Sequence, residues 1–170
     1  MNYKRLFVPN SYVFLTVVTY NRQPILIENI EILREAFKSS KIKYKYDIYA
    51  IMINHDHFHT ILQPQNIEDY PKIIAEIKRY FTKHIEKNYS LNKNNEANIW
   101  QRRYWEHTIR DESDLHKHTD YIHYNSIKHY NISPQNWQYS SFNKFVKNGY
   151  YENDWCNFGD INKISELNYE

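Results

Sequence analysis

The stretch "KYKYDIYAIMINHDHFHTILQ", residues 43–63, predicts two strands joined by a tight turn, and this hairpin decides the fold. Tyrosine, isoleucine and phenylalanine favour extended backbone in both halves, 43–53 and 57–63. The polar residues at 54–56 favour the turn between them. The remaining strands of the sheet must come from other parts of the chain.

The segments on either side of the hairpin alternate between strand and helix patterns. "SYVFLTVVTY", residues 11–20, is rich in β-branched and aromatic residues and predicts a strand. A helix over 26–39 is predicted from apolar residues at helical spacing: Leu26, Ile30, Leu33 and Phe37. Pro71 opens a second predicted helix, with a buried stripe of Ile73, Ile77, Phe81 and Ile85.

The second half of the chain predicts one more strand and one more helix. Residues 104–110, "YWEHTIR", are typical of a strand, and Asp111 or Ser113 can cap a helix that runs to about His129. The segment after Ser133 has weak periodicity and is expected to be mostly irregular. This element order favours an α+β fold: a ferredoxin-like antiparallel sheet with helices on one face. We expect a single domain over 1–170, with 131–170 as a C-terminal extension.

Composition excludes several classes of protein. The single cysteine, Cys156, excludes an internal disulfide framework and cysteine-based zinc sites. Two glycines in 170 residues exclude a glycine-rich phosphate loop or dinucleotide fingerprint. No apolar run approaches the roughly 20 residues that cross a bilayer, and "MNYKRLFVPN" lacks a signal-peptide core. We therefore expect a cytoplasmic protein without a membrane partner. The net charge of +2 does not by itself indicate nucleic acid.

Alternate residues in the second half of the hairpin are histidines. On a strand, His57 and His59 point to one face and Phe58 to the other. His55 extends the row only if the strand begins there, and the spacing "HDH" also fits a ligand pair. A polar strand face and a metal site both explain this pattern.

The segment "KHTDYIHYNSIKHY", residues 117–130, offers partners for these histidines. On a helix, one face carries His118, Tyr121, Asn125 and Lys128. Two imidazoles and an amide oxygen form an open site for Mg²⁺ or Mn²⁺. A nearby tyrosine can then attack phosphorus, helped by the charge of Lys128 or of the metal. However, 17 of 170 residues are tyrosine, so a tyrosine on this face is expected by chance, and Tyr124 is its neighbour.

Basic and aromatic residues give candidate contacts to DNA. The basic candidates are Lys72, Arg79 and Lys83 on one face of the second helix, with Lys78 nearby, and Arg102, Arg103, Arg110 and Lys128. The aromatic candidates for stacking on bases are Tyr104, Tyr124 and Trp137. Solvated lysines and core aromatics are the ordinary alternatives. "NWQYSSF", residues 136–142, favours packing of the C-terminal segment onto the domain.

Three blocks in order carry a resemblance to a known family. They are "HFH" at 57–59, "IWQRRYWEHTIRDESDLHKHTDYIHYNSIKHY" at 99–130 and "NWQYSSF" at 136–142. The chain resembles the REP-associated tyrosine transposases, a branch of the single-tyrosine, IS200-like HUH transposases. This resemblance implies the HUH endonuclease fold, with His57 and His59 as the paired metal ligands, Tyr121 as nucleophile and Asn125 as third ligand. His55, Ser126 and Tyr130 depart from the family pattern of proline, proline and glycine.

The resemblance also implies an activity and partners. A divalent metal, Mg²⁺ or Mn²⁺, would support cleavage of single-stranded DNA beside hairpins of repetitive extragenic palindromes. Attack by Tyr121 would leave a 5′-phosphotyrosine and a free 3′-hydroxyl for strand transfer. The enzyme would act on the nucleoid, and members of this branch often form homodimers. Two alternatives are a catalytically silent protein that binds DNA hairpins and a metal-dependent phosphodiesterase that activates water.

Overall fold

Four antiparallel strands form the centre of the molecule. The computed structural model describes residues 7–86, 89–95, 97–156 and 167–169. The strands are β1 (Val13–Val18), β2 (Tyr46–Ile53), β3 (His57–Pro64) and β4 (Trp105–Thr108), in the order β2-β3-β1-β4. The helices are α1 (Ile30–Lys43), α2 (Tyr70–His84), α3 (Glu112–Tyr130) and α4 (Phe142–Lys147). The predicted α+β fold with a ferredoxin-like sheet is confirmed.

Helices cover both faces of the sheet. Val13, Leu15 and Val17 of β1 pack with α1 and α2, whereas Phe14 packs with α3 and α4 on the other face. The prediction that all helices lie on one face was therefore wrong. All six residues of β1 are buried, and five of them are apolar, which is typical of a strand covered on both sides.

The first helix begins later than predicted. Leu26, which was expected inside the helix, instead donates its backbone N–H to the His55 carbonyl at 2.9 Å. This bond connects the segment before α1 to the β2–β3 turn. The helix then continues to Lys43, so β2 begins at Tyr46 and not at residue 43 as expected.

The segment after α3 is more regular than predicted. It contains α4, and two backbone bonds join it to β2: Ile53 N–H to the Tyr139 carbonyl at 2.8 Å, and Ser141 N–H to the Ile51 carbonyl at 2.9 Å. The packing role of "NWQYSSF" is confirmed. Trp137 is only 8% exposed because it anchors this segment, and Tyr124 is 6% exposed, so neither is available for stacking on bases as suggested above.

The ends of α3 are well defined. Asp111, one of the two predicted caps, accepts a hydrogen bond from Asp114 N–H at 2.8 Å. Asn131 ends the helix in the left-handed conformation, with φ of 53°. Tyr130, which replaces the family's glycine, stacks on Trp137 with ring centroids 4.6 Å apart. Among the described residues, no helix is long and apolar enough to span a membrane.

His123 of α3 is buried against Phe142 and Phe145 of α4, and it makes stability depend on pH. Burial lowers its pKa to about 3, whereas an unfolded histidine titrates near 6.5. Between these values the unfolded chain binds one more proton, so stability falls as the pH falls through this range. The expected slope is about 1.4 kcal/mol per pH unit. The free energy of unfolding, measured with urea at several pH values between 5 and 7, should change less steeply with pH in His123→Gln than in the unsubstituted chain. Equal slopes would contradict this assignment.

Candidate active site

The two predicted ligand histidines lie side by side on β3. His57 and His59 are buried, with ring centroids 4.9 Å apart, on the face covered by α3. Phe58 points to the opposite face and packs against Phe37 of α1 at 5.5 Å. His55 lies before the strand, where its ring contacts Tyr130 at 5.4 Å. The alternation of β3 therefore favours the "HFH" register over "HDH".

Asp56 orients His57. Its carboxylate lies 2.6 Å from His57 Nδ1 and 3.1 Å from Arg22 Nη1. Burial favours the protonated carboxyl, but the hydrogen bond and charge of His57, together with Arg22, outweigh it and lower the pKa of Asp56 to about 2. The ionised carboxylate accepts the Nδ1 proton. In the neutral tautomer with the proton on Nδ1, Nε2 is an acceptor, and Asn54 Nδ2 lies 2.8 Å from it.

Asn125 joins α3 to His59. Its Nδ2 donates to the Tyr121 carbonyl at 2.8 Å, which turns its Oδ1 toward His59 Nε2 at 3.0 Å. On the other side of the ring, Thr16 Oγ1 lies 2.8 Å from Nδ1 and 2.7 Å from the Tyr169 carbonyl. When the single hydroxyl proton goes to this carbonyl, the neutral tautomer that also bonds Thr16 carries its proton on Nδ1, and the Nε2 lone pair then faces the amide oxygen, an arrangement that a cation stabilises. The other tautomer donates its Nε2 proton to Asn125 Oδ1.

Tyr121 lies next to both the histidines and a cation. Its ring centroid is 5.2 Å from that of His59, and Lys128 Nζ donates to its hydroxyl at 3.2 Å. This hydroxyl also accepts from Tyr169 N–H at 3.3 Å. Tyr121 is completely buried. The structure thus brings Tyr121, Asn125 and Lys128 to the two histidines, as the helical spacing predicts.

Residues 167–169 close the site from the C-terminal side. Besides the two backbone contacts of Tyr169, Asn168 Oδ1 lies 3.4 Å from Lys128 Nζ. Sequence reasoning missed this segment, and it also missed Thr16, Asn54 and the orienting role of Asp56. The acidic residue directly before the histidine pair was a usable local signal. No local sequence pattern indicates the contacts of Tyr169 with β1.

His118 belongs to a second cluster beside Tyr121. Donor atoms of His107, Asp114 and His118 lie within 4.8 Å of one another. However, the two imidazoles stack 4.6 Å apart and nearly parallel, at 10°, so their in-plane lone pairs do not converge. Asp114 holds both rings, through His107 Nε2 at 2.7 Å and through its own carbonyl on His118 Nδ1 at 2.8 Å. This arrangement is typical of closely packed, hydrogen-bonded side chains and not of a preformed metal site.

Some of the predicted basic residues gather in one open cleft of about 610 Å³. Arg79, Lys83 and Arg102 line it with Lys78. The other basic candidates do not line this cleft: Lys72, which pairs with Asp69; Arg103; Arg110, which pairs with Asp114; and Lys128, which lies at Tyr121. Gln101 at the cleft donates its N–H to the Val18 carbonyl at 2.9 Å, and Val18 pairs with His57. The cleft and the histidines therefore lie at the same end of the sheet.

Comparison with known proteins gives consistent matches over almost the whole chain. The family model described as "Transposase IS200 like" matches residues 7–125. A Haemophilus influenzae protein assigned to the REP-associated tyrosine transposases is 40% identical over 168 residues, covering 94% of this chain and 96% of that protein. The Escherichia coli K12 REP-associated tyrosine transposase is 32% identical over 166 residues, covering 96% and 94%.

A solved structure extends the match to three dimensions. The REP-associated tyrosine transposase bound to a REP hairpin superposes with a TM-score of 0.83 and 29% identity, covering 99% of this chain and 96% of that one. The fold, the family model and the two relatives agree. The chain is therefore an enzyme of the REP-associated tyrosine transposases, within the IS200-like transposase family.

Proposed function

We propose that this transposase cleaves and transfers single-stranded DNA beside palindromic hairpins of the REP type, with a divalent metal and Tyr121 as nucleophile. The observation that carries this proposal is the position of the Tyr121 hydroxyl, 3.2 Å from Lys128 Nζ and beside His59. A solved relative bound to a REP hairpin supports the choice of DNA. The enzyme would act where the chromosome is, in the cytoplasm.

The donor set fits Mg²⁺ or Mn²⁺. His57 Nε2, His59 Nε2 and Asn125 Oδ1 would hold the ion, and their partners Asp56 and Thr16 fix both rings. The Oδ1 atom of Asn54, beside His57, is buried without a hydrogen-bond partner among the described residues, so the site has unused oxygen. The bound ion would polarise the phosphate and neutralise charge that develops on its oxygens.

Tyr121 supplies the covalent step. Its phenolic oxygen attacks phosphorus, the bond from phosphorus to the 3′-oxygen breaks, and a 5′-phosphotyrosine forms. The phenolic proton is lost, and the departing 3′-oxygen takes up a proton to become a hydroxyl. Lys128 donates to the phenolic oxygen and so favours its ionised form. Attack by a 3′-hydroxyl on the phosphotyrosine reverses the same steps and joins strands.

The basic cleft provides a path for the phosphate backbone. Arg79, Lys83 and Arg102 lie at the end of the sheet that also carries His57. DNA bound there would reach the nucleophile around the end of β1. Such contacts give affinity without reading sequence.

Residues 167–169 must move before cleavage. Tyr121 is fully buried, and its hydroxyl contacts the backbone of Tyr169. A phosphate cannot approach that oxygen while the segment is in place. Opening of this segment is therefore a step of the proposed reaction.

The first prediction concerns the covalent intermediate. Labelled hairpin oligonucleotides from the host's repeats, with unpaired flanks and Mn²⁺ or Mg²⁺, should give a denaturation-resistant protein–DNA adduct. Tyr121→Phe and His57→Ala should abolish the adduct, and the neighbouring Tyr124→Phe should retain it. Cleavage that survives Tyr121→Phe would instead indicate water as nucleophile. Tight binding without adduct or cleavage would indicate a hairpin-binding protein that has lost catalysis.

The second prediction concerns the metal. Asp56→Asn removes the charge that holds the Nδ1 proton of His57, so Mn²⁺ affinity measured by calorimetry should fall roughly 10- to 100-fold. Asp47→Asn, an exposed change on β2, is the matched control and should leave the affinity unchanged. Equal affinities for both variants would contradict the role of Asp56.

The third prediction concerns access to Tyr121. In Tyr169→Ala, nitration of Tyr121 by tetranitromethane should increase several-fold, because the covering contacts are weakened. Peptide mass spectrometry measures it, with the buried Tyr46 of β2 as an internal control that should remain unmodified. Unchanged nitration of Tyr121 would show that Tyr169 does not control access.

A further inference from the structure

Four side chains form an aromatic slot beside the proposed nucleophile: Phe14, Trp105, His118 and Tyr121. The ring of Tyr169 occupies this slot. It stacks on His118 at 4.4 Å and 16°, and it lies 5.3 Å from Trp105 at 33°. Phe14 and Tyr121 present their rings edge-on, at 5.6 and 4.8 Å. The slot therefore holds one flat ring against the face of His118, with the ring of Trp105 on an adjacent side and the edges of Phe14 and Tyr121 around it.

The walls of the slot do not depend on its occupant. His118 Nδ1 is bonded to the Asp114 carbonyl at 2.8 Å, and its other face stacks on His107 at 4.6 Å. Burial, with the nearby charge of His107, lowers the pKa of His118 and outweighs Asp114, so the ring is neutral at pH 7. Phe14 is held in β1. The slot thus remains formed when residues 167–169 leave.

The backbone that carries the Tyr169 ring runs along the reacting groups. Its N–H lies 3.3 Å from the Tyr121 hydroxyl, and its carbonyl accepts from Thr16 Oγ1 at 2.7 Å. Any chain that places a ring in the slot therefore places its own linkage at the nucleophile. In DNA that linkage is the sugar-phosphate backbone, with phosphate oxygens that can accept from Thr16 and Lys128.

We propose that the aromatic slot binds an unpaired nucleobase next to the scissile phosphate, and that Tyr169 occupies its place in the absence of DNA. This inference rests on the proposed function. When residues 167–169 leave, the face of His118 and the neighbouring ring of Trp105 lose their flat partner. An unpaired base is the flat ring that a single-stranded substrate brings. Stacking of a base on an aromatic side chain contributes roughly 1–3 kcal/mol.

The test is a double-mutant cycle between base and slot. The protein is the full chain with Tyr121→Phe, which keeps the ring but cannot react. The probes are the same hairpin oligonucleotides, with a single abasic site at each unpaired position near the cleavage point, and binding is measured by fluorescence anisotropy. Trp105→Ala is the slot variant. Tyr20→Ala is the matched control, because Tyr20 and Trp105 are 37% and 38% exposed.

We expect one abasic position to weaken binding roughly tenfold, which corresponds to about 1.4 kcal/mol. With Trp105→Ala, intact and abasic DNA should bind within about twofold of each other, whereas Tyr20→Ala should keep the tenfold difference. Adding Tyr169→Ala to the Tyr121→Phe chain should strengthen binding of intact DNA several-fold and of that abasic DNA much less, because a competing ring is removed.

The outcomes separate this inference from the proposed function. The slot is overturned if no abasic position matters, or if the penalty is the same with and without Trp105. An adduct in the reactive chain without this coupling overturns the slot alone. Coupling in the binding assay without any adduct overturns the proposed cleavage and leaves the slot in place. No binding to any oligonucleotide overturns both.

Discussion

The antiparallel register between β1 and β3 determines where the two histidines of the candidate site lie. Val18 pairs with His57, and Thr16 pairs with His59. This register turns both histidines toward α3 and sends Phe58 into the core with α1 and α2. A shift of one residue would exchange the faces, because side chains alternate along a strand. The apolar residues of β1 prevent such a shift, since it would move Val13, Leu15 and Val17 away from the core that buries them.

The third helix, α3, contributes the remaining residues of the candidate site. Its 3.6-residue period places Tyr121, Asn125 and Lys128 on one face, and the apolar cluster that Ile122 shares with Met52 of β2 and Phe14 of β1 holds α3 against the sheet. Asn125 connects the helix to the sheet, because its Nδ2 donates to the Tyr121 carbonyl of α3 and its Oδ1 faces His59 of β3. Because the site is built between a sheet and a helix and not on loops, its geometry follows from the same contacts that stabilise the fold.

Sequence patterns could predict the parts of the fold and of the candidate site that depend on local periodicity. The period of two in β3 predicted that His57 and His59 share a face, and the helical period predicted that Tyr121 and Asn125 lie together. The cap at Asp111 was also predictable. The late start of α1 was not, because a backbone bond from Leu26 to the β2–β3 turn decides it. The contact between Thr16 and Tyr169 spans 153 residues, so no local pattern contains it.

The hydrogen bonds of the buried polar groups also explain the closed form of the site, in which residues 167–169 cover Tyr121. Thr16, His59 and Asn125 are buried polar groups, and each needs a partner to offset the loss of water. In the closed form the backbone of Tyr169 supplies partners to Thr16 and to the Tyr121 hydroxyl. A phosphate group offers acceptor oxygens to the same hydroxyl of Thr16 and to Lys128. The bonds of Thr16 to Tyr169 and of Lys128 to Asn168 can be exchanged for bonds to phosphate with little change in free energy, whereas the bond from Tyr169 N–H to the Tyr121 hydroxyl is lost. Under the proposed function, this exchange would let DNA displace residues 167–169.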